Sequence, residues 1–318
     1  SAAAISGRVS VGCKSPLTGG IKESNAGGQA GQTIARLGFA AIIIEGEVTD
    51  GSLHLLKINK DGATFAPADH LKGLGNYDTV AKLRETYGDK VAYMSIGQAG
   101  EMKLGAASIA CTDMELRPTR HCGRGGVGAV MGSKGVKAIV IDDDGCKMRQ
   151  PKDPEAFKAA NKIFVQGLKS HGVTGEGLPA YGTNILANII NEAGGYPTNN
   201  FAHGQFKGTH KISGETQAEL EAQRGGNPTH GCHRGCVIKC SGIFVDEKGE
   251  YVSKQPEYET VWSHGANCGI DDLDSIARLD RMDDDFGLDT IEMGATIAVA
   301  MDAGLAEFGD SAGAEKLL

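Results

Sequence analysis

Three evenly spaced cysteines are the residues of this sequence best suited to chemistry. The stretch GCHRGCVIKCSG places Cys232, Cys236 and Cys240 four positions apart, in a chain that has 8 cysteines. On a helix this spacing would bring all three thiols to one face. Zinc sites usually combine two separate ligand pairs, whereas iron–sulfur clusters take several close cysteines and one distant one. The spacing therefore favours iron–sulfur ligands and predicts electron transfer, without indicating a substrate.

Other interpretations of the three cysteines stay open. A zinc ion could take His230 or His233, the neighbours of the first thiol, as further ligands. The cysteines could also be small buried side chains that bind nothing. Radical-SAM enzymes use a C-x₃-C-x₂-C pattern, and the last gap in this chain is one residue longer than that.

Two glycine-rich loops could hold an anionic ligand. They are SNAGGQAG, residues 24–31, and HCGRGGVGAVMGSKG, residues 121–135. Each loop is rich in backbone N–H groups and carries a side-chain donor, Asn25 in the first and Arg124 in the second, a combination that suits anions. Tight turns between strands would explain the same composition equally well.

The second loop formally contains a dinucleotide-binding pattern. Gly123, Gly125 and Gly128 satisfy G-x-G-x-x-G, but that motif requires a hydrophobic strand directly before it. The preceding residues ELRPTRH make a poor strand, so a dinucleotide site is disfavoured.

Two glutamates in the run KQPEYET are candidates for proton transfer. An extended run would point Glu257 and Glu259 to opposite faces, one inward and one outward. An inward glutamate among apolar residues would have a raised pKa, which suits a proton carrier. For either residue alone, an exposed acid is the simpler alternative.

The run DDFGLD interrupts a long helical pattern. Gly287 is expected to end one helix and precede the next, with Asp284 and Asp289 flanking the joint. The alternative to a ligand site is a helix–turn–helix corner with a capping aspartate.

Composition limits the classes of protein to which the chain can belong. The 318 residues suggest about two domains, and 40% hydrophobic with 23% charged residues is ordinary for a globular protein. A net charge of −8 without basic blocks argues against nucleic acid or an anionic membrane as the main partner. No apolar run approaches the roughly 18 residues of a membrane span. Clustered cysteines favour a reducing compartment, so the predicted location is the cytoplasm.

The hydrophobic pattern changes from β to α along the chain. Strands are predicted at residues 7–14, 40–46, 53–59, 91–97 and 136–142. One helix is predicted at residues 78–88, and residues 142–154 read as a polar linker. Further helices are predicted from Asp153-Pro154 onward and at residues 180–193, 215–223, 271–285 and 288–304. The expected fold class is α+β, with a β-rich domain over 1–146 and a mainly α-helical domain over 147–318.

These motifs occur together, and in this order, in one known family. From SGRVSV, KSPLTG and SNAGG through GRGGVGAVMGSK and the cysteine run to PEYET and DxxGLD, the chain resembles the aldehyde:ferredoxin oxidoreductases, which depend on tungsten or molybdenum. The resemblance extends over essentially all 318 residues. It implies a pterin-binding N-terminal domain, two pterin cofactors that hold the metal, a bridging Mg²⁺ and a neighbouring [4Fe–4S] cluster.

The resemblance also implies a role for each matching residue. Pterin and phosphate contacts are expected from Arg8, Asn25, Gly27, Arg124, Gly125, Asp284, Gly287, Leu288 and Asp289. Among these, Asp284 would bond the pterin ring nitrogens, while Asn25 and Gly125 would lie near Mg²⁺. Cys232, Cys236 and Cys240 would bind the cluster, and Glu259 would carry a proton beside the metal.

The cysteine run differs from the family pattern. Family members have C-x₂-C-x₃-C, whereas both gaps in this chain contain three residues. The family's fourth cluster cysteine lies in a later DxxGLC motif, beyond Leu318. Ser1 is not an initiator methionine and the last residues stop within a helical pattern, so the sequence is expected to be an internal fragment, inactive by itself.

The activity implied by the resemblance is the oxidation of an aldehyde to a carboxylic acid with water. Two electrons would pass singly to ferredoxin or another iron–sulfur carrier, and a homodimer is one assembly that the resemblance allows. Two alternatives compete with this activity. One is a reductase of the same family that acts on an aromatic acyl-CoA, and the other is a non-catalytic iron–sulfur electron-transfer subunit.

Overall fold

The computed structural model describes residues 3–318, which form two compact units. The N-terminal unit comprises residues 3–165 together with two later segments, Cys232–Cys236 and Asp284–Asp289. The helical unit comprises Gln166–Gly231, Val237–Asp283 and Thr290–Leu318. The predicted α+β class is confirmed, since a mixed sheet fills the first unit and helices dominate the second.

The N-terminal unit contains a six-stranded mixed sheet and a separate hairpin. Its strands are β1 (Val9–Lys14), β2 (Ile21–Ala26), β3 (His54–Asn59), β4 (Gly62–Pro67), β5 (Ala92–Ser95), β6 (Ile109–Cys111), β7 (Arg120–Cys122) and β8 (Val136–Ile141). The six-stranded sheet has the order β4-β3-β8-β5-β6-β7, and β1 pairs with β2. Strand β8 is buried at every position, as its sequence VKAIVI and its place inside the sheet require. It runs parallel to β3 and antiparallel to β5.

Short helices connect the strands of this unit. They are α1 (Ala30–Leu37), α2 (Asn76–Tyr87), α3 (Gln98–Glu101) and α4 (Val127–Ser133), with a 3₁₀ turn at Asp69–Leu71. Helix α5 (Pro154–Ser170) begins as predicted, because the Asp153 carboxylate accepts the N–H of Ala156 at 3.0 Å. Residues 142–153 contain neither helix nor strand.

Glycines in α4 allow its backbone to touch neighbouring segments. A Cβ atom at Gly132 would lie 1.9 Å from the carbonyl oxygen of Gly100 in α3. A Cβ atom at Gly128 would lie 2.2 Å from the carbonyl oxygen of Ser108. Because any side chain at these positions would overlap with backbone, helix α4 depends on glycine for its packing.

The strand predicted at residues 40–46 is wrong. Ile42 and Ile44 pack against the core of the N-terminal unit while Ile43 is 81% exposed, so the alternation typical of a strand is present. Within residues 3–318, however, no strand pairs with this segment, and without a ladder it is irregular.

The helical unit contains a three-stranded antiparallel sheet among its helices. The strands are β9 (Asn227–His230), β10 (Ser241–Val245) and β11 (Tyr251–Lys254), in the order β11-β10-β9. The helices are α6 (Leu178–Tyr181), α7 (Leu186–Glu192), α8 (Thr209–Ile212), α9 (Gly214–Arg224), α10 (Tyr258–Thr260), α11 (Leu273–Phe286), α12 (Thr290–Asp302) and α13 (Ser311–Leu317). Single turns of other types are the π-helical Gly172–Gly177 and Val261–Gly265 and the 3₁₀ Thr183–Ile185 and Ala266–Cys268.

The continuous helix predicted at residues 180–193 is also wrong. Gly182 has φ of +61° and separates α6 from the turn that leads into α7. A Cβ atom there would lie 3.1 Å from the carbonyl oxygen of Cys240, so the chain turns where another backbone passes. None of the helices between residues 3 and 318 has the length and apolar character of a membrane span.

Candidate functional site

Cys232, His233 and Cys236 bring three candidate metal ligands together in the N-terminal unit. The two sulfur atoms and one imidazole nitrogen all lie within 4.8 Å of one another. His233 is only 5% exposed. Thiolate and imidazole together are the donors that proteins use for iron and zinc. Two of the three predicted cysteine ligands therefore lie side by side, and a histidine that the cluster prediction had not included joins them.

The SNAGG loop holds the backbone of Cys232. The N–H of Gly28 donates to the carbonyl oxygen of Cys232 at 2.7 Å. A Cβ atom at Gly27 would lie 3.0 Å from the same oxygen, and one at Gly28, where φ is +83°, would lie 2.5 Å from the carbonyl oxygen of Thr112. At both glycines the space that a side chain would need is thus occupied by neighbouring backbone.

Arg8 and Asn25 form a polar pair beside hairpin β1–β2. The hairpin register aligns Val9 with Ala26, so Arg8 and Asn25 lie at the same end. The Nε atom of Arg8 donates to Oδ1 of Asn25, and Nη2 donates to the Asn25 carbonyl oxygen at 3.0 Å. Both residues are exposed. A guanidinium fixed in this way and open to solvent can bind a phosphate or another anion.

The GRGG loop presents a second exposed guanidinium. The Nε atom of Arg124 lies 3.5 Å from Oδ2 of Asp289; the Arg124 side chain is 59% exposed and that of Asp289 only 6%. Gly125 has φ of +91°, and its carbonyl oxygen accepts the hydroxyl of Ser15 at 2.8 Å. Arg124 and Asp289, both predicted site residues, are therefore in contact.

The strand before this loop is not the one that a dinucleotide site needs. Strand β7 has three residues and pairs antiparallel with β6. Dinucleotide-binding loops follow a strand of a parallel βαβ unit, so the G-x-G-x-x-G match lies in the wrong surroundings.

The DDFGLD corner is anchored to the N-terminal unit through backbone. Gly287, at φ +76°, follows the last residue of α11 and precedes α12, as predicted. Its carbonyl oxygen accepts the N–H of Ser108 at 2.8 Å, and the N–H of Asp289 donates to Ala106 at 2.9 Å. Leu288 is buried and bridges to Ala107. Two backbone hydrogen bonds and one isolated β-bridge thus hold the corner against residues 106–108.

A half-buried histidine, His121, contacts the first aspartate of the corner. The Nε2 atom of His121 lies 3.1 Å from Oδ1 of Asp284 and 3.0 Å from the carbonyl oxygen of Pro118. Its Nδ1 atom lies 2.7 Å from the hydroxyl of Ser108. Since both neighbours of Nε2 are acceptors, Nε2 carries a proton, which faces the carbonyl oxygen of Pro118 and Oδ1 of Asp284.

Glu259 lies in the helical unit, in a different conformation from the one predicted. The run around Glu257 is not extended through Glu259, because helix α10 begins at Tyr258. Glu257 is half-buried and its Oε2 accepts the hydroxyl of Thr183 at 2.6 Å, while Glu259 is exposed. The apolar burial expected of one of the two glutamates is therefore not found at Glu259.

Buried polar side chains support the turn that carries Glu259. The hydroxyl of Thr260 donates to Oγ1 of Thr290 at 3.0 Å and lies 3.5 Å from Oδ1 of Asp280. Asp280 is in turn paired with the Nζ atom of Lys254 at 2.8 Å. Because buried charges persist only when paired, this ion pair and the two hydroxyls form one connected support.

A second buried pair lies one turn further along. The Nε2 atom of His264 is 2.6 Å from Oδ2 of Asp283, and neither side chain is exposed. Burial raises the pKa of the Asp283 carboxyl, and the neighbouring His264 opposes that rise.

The remaining two cysteines of interest belong to the helical unit. Cys240 is half-buried, directly before β10. Cys268 is fully buried, and its thiol donates toward the carbonyl oxygens of Ser263 at 3.3 Å and Gly294 at 3.4 Å. Burial raises the pKa of the Cys268 thiol to about 12. A thiol that stays protonated is a poor metal ligand.

Sequence reasoning missed three residues of the N-terminal unit. They are His121, Ser108 and Lys22, whose side chain lies beside Gly125. His121 and Lys22 are near predicted motifs in sequence, which is the signal that could have identified them. Ser108 has no such signal, since its contact with Leu288 joins residues 180 positions apart.

Comparison with known proteins adds independent information. The family model described as the N-terminal domain of aldehyde ferredoxin oxidoreductase matches residues 1–143, and the model of domains 2 and 3 matches residues 158–316. The tungsten-containing aldehyde ferredoxin oxidoreductases of Pyrococcus horikoshii and Pyrococcus abyssi are 40% and 41% identical to the chain over 297 residues, 93% of it. The chain spans about half of these relatives, 46% of each.

A solved structure has the same fold. It is titled as the active site complex BamBC of benzoyl coenzyme A reductase in complex with 1,5-dienoyl-CoA. The TM-score is 0.74 at 22% identity, over 96% of this chain and 46% of that one. The two matching models and the identity to the Pyrococcus proteins show that the chain belongs to the aldehyde ferredoxin oxidoreductase family.

Proposed function

We propose that the full-length protein oxidises an aldehyde to a carboxylic acid and passes the electrons singly to ferredoxin. The observation that carries this proposal is the contact between Gly28 and Cys232, at 2.7 Å from N–H to carbonyl oxygen. This contact places Cys232, a candidate redox ligand, next to the SNAGG loop, which is suited to binding an anion. The 40% identity to proteins named tungsten-containing aldehyde ferredoxin oxidoreductases supports the substrate class.

The proposed cofactors are a tungsten or molybdenum bis-pterin centre and a [4Fe–4S] cluster. When bound, the first supplies the two-electron exchange and the second supplies one-electron transfer. Cys232, Cys236 and Cys240 are proposed as cluster ligands. The first two rest on their 4.8 Å grouping with His233, and Cys240 rests on its position in the sequence.

The phosphate contacts are assigned to the two exposed guanidinium groups. Arg8 is held by Asn25 and Arg124 by Asp289, so both are oriented before a ligand arrives. Gly27 is proposed to contact the pterins as well, through the backbone of a loop in which a Cβ atom would lie only 3.0 Å from the carbonyl oxygen of Cys232.

The corner at 284–289 is proposed to contact a pterin ring. Asp284 fits a contact to ring nitrogens, because it is a buried carboxylate, an acceptor of N–H groups, and its Oδ1 lies 3.1 Å from Nε2 of His121. Gly287, Leu288 and Asp289 are proposed to shape the backbone around that ring.

Mg²⁺ is proposed to bind Oδ1 of Asn25 and the carbonyl oxygen of Gly125. Oxygen ligands of this kind suit Mg²⁺. Each of these oxygens accepts a hydrogen bond, from Arg8 and Ser15 respectively, and each has a further lone pair for a cation.

Glu259 is proposed to carry the proton released as the aldehyde reacts with water. It is exposed on the turn that Thr260 anchors, so it can move without disturbing the buried Lys254–Asp280 pair. A carboxylate needs hydrogen-bond reach to the proton that it accepts, and a mobile side chain on a fixed turn meets that need.

The test uses full-length protein purified without oxygen. Elemental analysis for tungsten, molybdenum, iron and zinc is combined with assays on a panel of aldehydes and on aromatic acyl-CoA, with ferredoxin as the electron carrier. We expect iron, tungsten or molybdenum, and turnover of aldehydes. Turnover of the acyl-CoA alone would instead assign the aromatic acyl-CoA reductase alternative. Bound iron without turnover of either class would favour an electron-transfer subunit, and zinc without iron would contradict the cluster.

A further inference from the structure

His233 occupies the position at which the cysteine run departs from its family pattern. The family spacing is C-x₂-C-x₃-C, and the first gap of this chain contains one residue more, between Cys232 and Cys236. That gap begins with His233, whose imidazole has a nitrogen within 4.8 Å of both sulfur atoms. The longer gap thus places a potential ligand atom between two others.

The hydrogen bonding of His233 leaves one ring nitrogen with a lone pair. Its Nδ1 atom lies 2.9 Å from the carbonyl oxygen of Arg234, which can only accept, so Nδ1 carries the proton. With Nδ1 as the donor, Nε2 is the ring nitrogen that can act as a ligand. Metal-binding histidines usually donate their other N–H in this way to a backbone carbonyl, which fixes the tautomer and the ring orientation.

The surroundings of His233 hold its ring in place. The Arg234 carbonyl oxygen also accepts the side-chain amide of Gln32 at 2.8 Å, so this oxygen itself is fixed. Beside the same ring nitrogen, a Cβ atom at Gly7 would lie 2.5 Å from Nδ1 of His233. Glycine at that position therefore makes room for the ring, and the 5% exposure of His233 follows.

We propose that His233 is a nitrogen ligand of the iron–sulfur cluster, bound to one of its irons next to Cys232 and Cys236. This inference rests on the cluster in the proposed function, whose four irons take one outer ligand each: with Cys232, Cys236 and Cys240 on three of them, His233 is the ligand of the fourth, in place of the distant cysteine that the resemblance implies. Since imidazole is neutral and thiolate is negative, a cluster with one histidine ligand has a higher reduction potential than one with thiolates alone.

The test is spectroscopic and uses anaerobically purified full-length protein. The chain is labelled with ¹⁵N-histidine, the cluster is reduced, and electron–nuclear double resonance records nitrogen coupling to the cluster spin. We expect a strong ¹⁵N coupling in the unaltered protein. The labelled unaltered protein decides the question even if a variant does not fold.

Two variants test whether His233, among the 9 histidines of the chain, is the source of the nitrogen coupling. His233→Cys should keep iron, lose the coupling and lower the midpoint potential. His70→Ala is the matched control, since His70 is an exposed histidine of the same unit, and it should leave coupling and potential unchanged.

The outcomes separate this inference from the proposed function. A reduced cluster without histidine coupling, or one whose coupling and potential are unchanged in His233→Cys, would overturn the ligand assignment and leave the cluster intact. Protein that contains no iron would overturn the cluster as well.

Discussion

The Nε2 atom of His121 lies 3.1 Å from Oδ1 of Asp284, although 163 positions separate the two residues in the chain of 318. His121 is itself held by the Ser108 hydroxyl at 2.7 Å. One carboxylate oxygen of Asp284 is thus oriented before any ligand binds. From these contacts we infer that His121 positions the Asp284 carboxylate, which is proposed to contact a pterin ring.

Removal of the His121 ring should weaken cofactor retention. His121→Ala removes a charge-assisted hydrogen bond, which contributes roughly 1.5–3 kcal/mol, so we expect the pterin and tungsten or molybdenum content to fall about tenfold or more. Metal analysis measures the tungsten or molybdenum content, and fluorescence of the oxidised pterin measures the pterin content. His121→Gln, which retains an N–H donor, should restore part of the content, and exposed His70→Ala should match the unaltered protein. Equal pterin content in His121→Ala would contradict the positioning role.

Two glutamates two positions apart should behave differently. Glu259→Gln should retain metal and cluster but lose most turnover, because an amide cannot accept the proton. Glu257→Gln serves as the control. Its side chain accepts a hydrogen bond from Thr183, so we expect a loss of about 1 kcal/mol in stability and near-normal turnover. Steady-state assays and thermal melting separate the two effects; full turnover in Glu259→Gln would exclude the proton-carrier role.

Glu221 should make the stability of the protein depend on pH. It is fully buried, neither of its carboxylate oxygens has a hydrogen-bond partner among residues 3–318, and burial raises its pKa from 4.5 to about 8. Between these two values the folded state holds a proton that the unfolded state releases. The contribution of Glu221 to the free energy of unfolding is therefore greatest below about pH 4.5. It falls as the pH rises toward 8, by up to roughly 1.4 kcal/mol per pH unit.

The variant Glu221→Gln tests that dependence. Melting temperature measured from pH 5 to pH 8 should fall less steeply in the variant, since an amide does not ionise. Glu219→Gln, an exposed neighbour on α9, is the matched control and should follow the unaltered protein. Parallel curves for Glu221→Gln and the unaltered protein would show that Glu221 does not titrate in this range.

Gly28 and Gly38 form a matched pair for testing the SNAGG loop. Their φ values are +83° and +82°, so alanine is equally strained at both, by about 1–2 kcal/mol. A Cβ atom at Gly28 would overlap the Thr112 carbonyl at 2.5 Å, whereas nothing lies within 4 Å at Gly38. We expect Gly28→Ala to lower the melting temperature more than Gly38→Ala and to reduce bound iron, because it displaces Cys232. Equal iron content in both variants would separate the loop from the cluster.

Substitution of individual cysteines should divide them into two groups. Cys236→Ser is expected to lower the iron content of the purified protein strongly. Cys268→Ala is expected to leave it unchanged, since the pKa of that buried thiol is about 12 and the thiol donates to two carbonyl oxygens. Iron analysis and cluster absorbance measure both. Loss of iron in Cys268→Ala would make it a ligand after all.

Local signals predicted much of the fold. The strands at 53–59 and 136–142 and the helices at 215–223 and 271–285 were identified because apolar periodicity follows the burial of single elements. The corner at Gly287 was predicted because glycine tolerates positive φ between two helices. These features depend only on residues close together in the chain.

Features that depend on distant residues could not be predicted in this way. The apolar alternation of residues 40–46 has the period of a strand, but a strand also needs a neighbour to pair with. Likewise, Ser108 has no sequence pattern that links it to Leu288, and the half-buried state of Glu257 depends on Thr183. The resemblance supplied the candidate site. Three-dimensional contacts added His121 to it, and they grouped His233, which the sequence had offered only as a zinc ligand, with Cys232 and Cys236.

The glycines of α4 have a consequence for reading the history of such sequences. Gly128 and Gly132 are required by contact with the backbone at Ser108 and Gly100, and no ligand enters that requirement. A descendant that had lost every cofactor would still be selected to keep them. Glycine retained at these two positions would therefore indicate that the fold is intact, and it would not indicate that catalytic activity is retained.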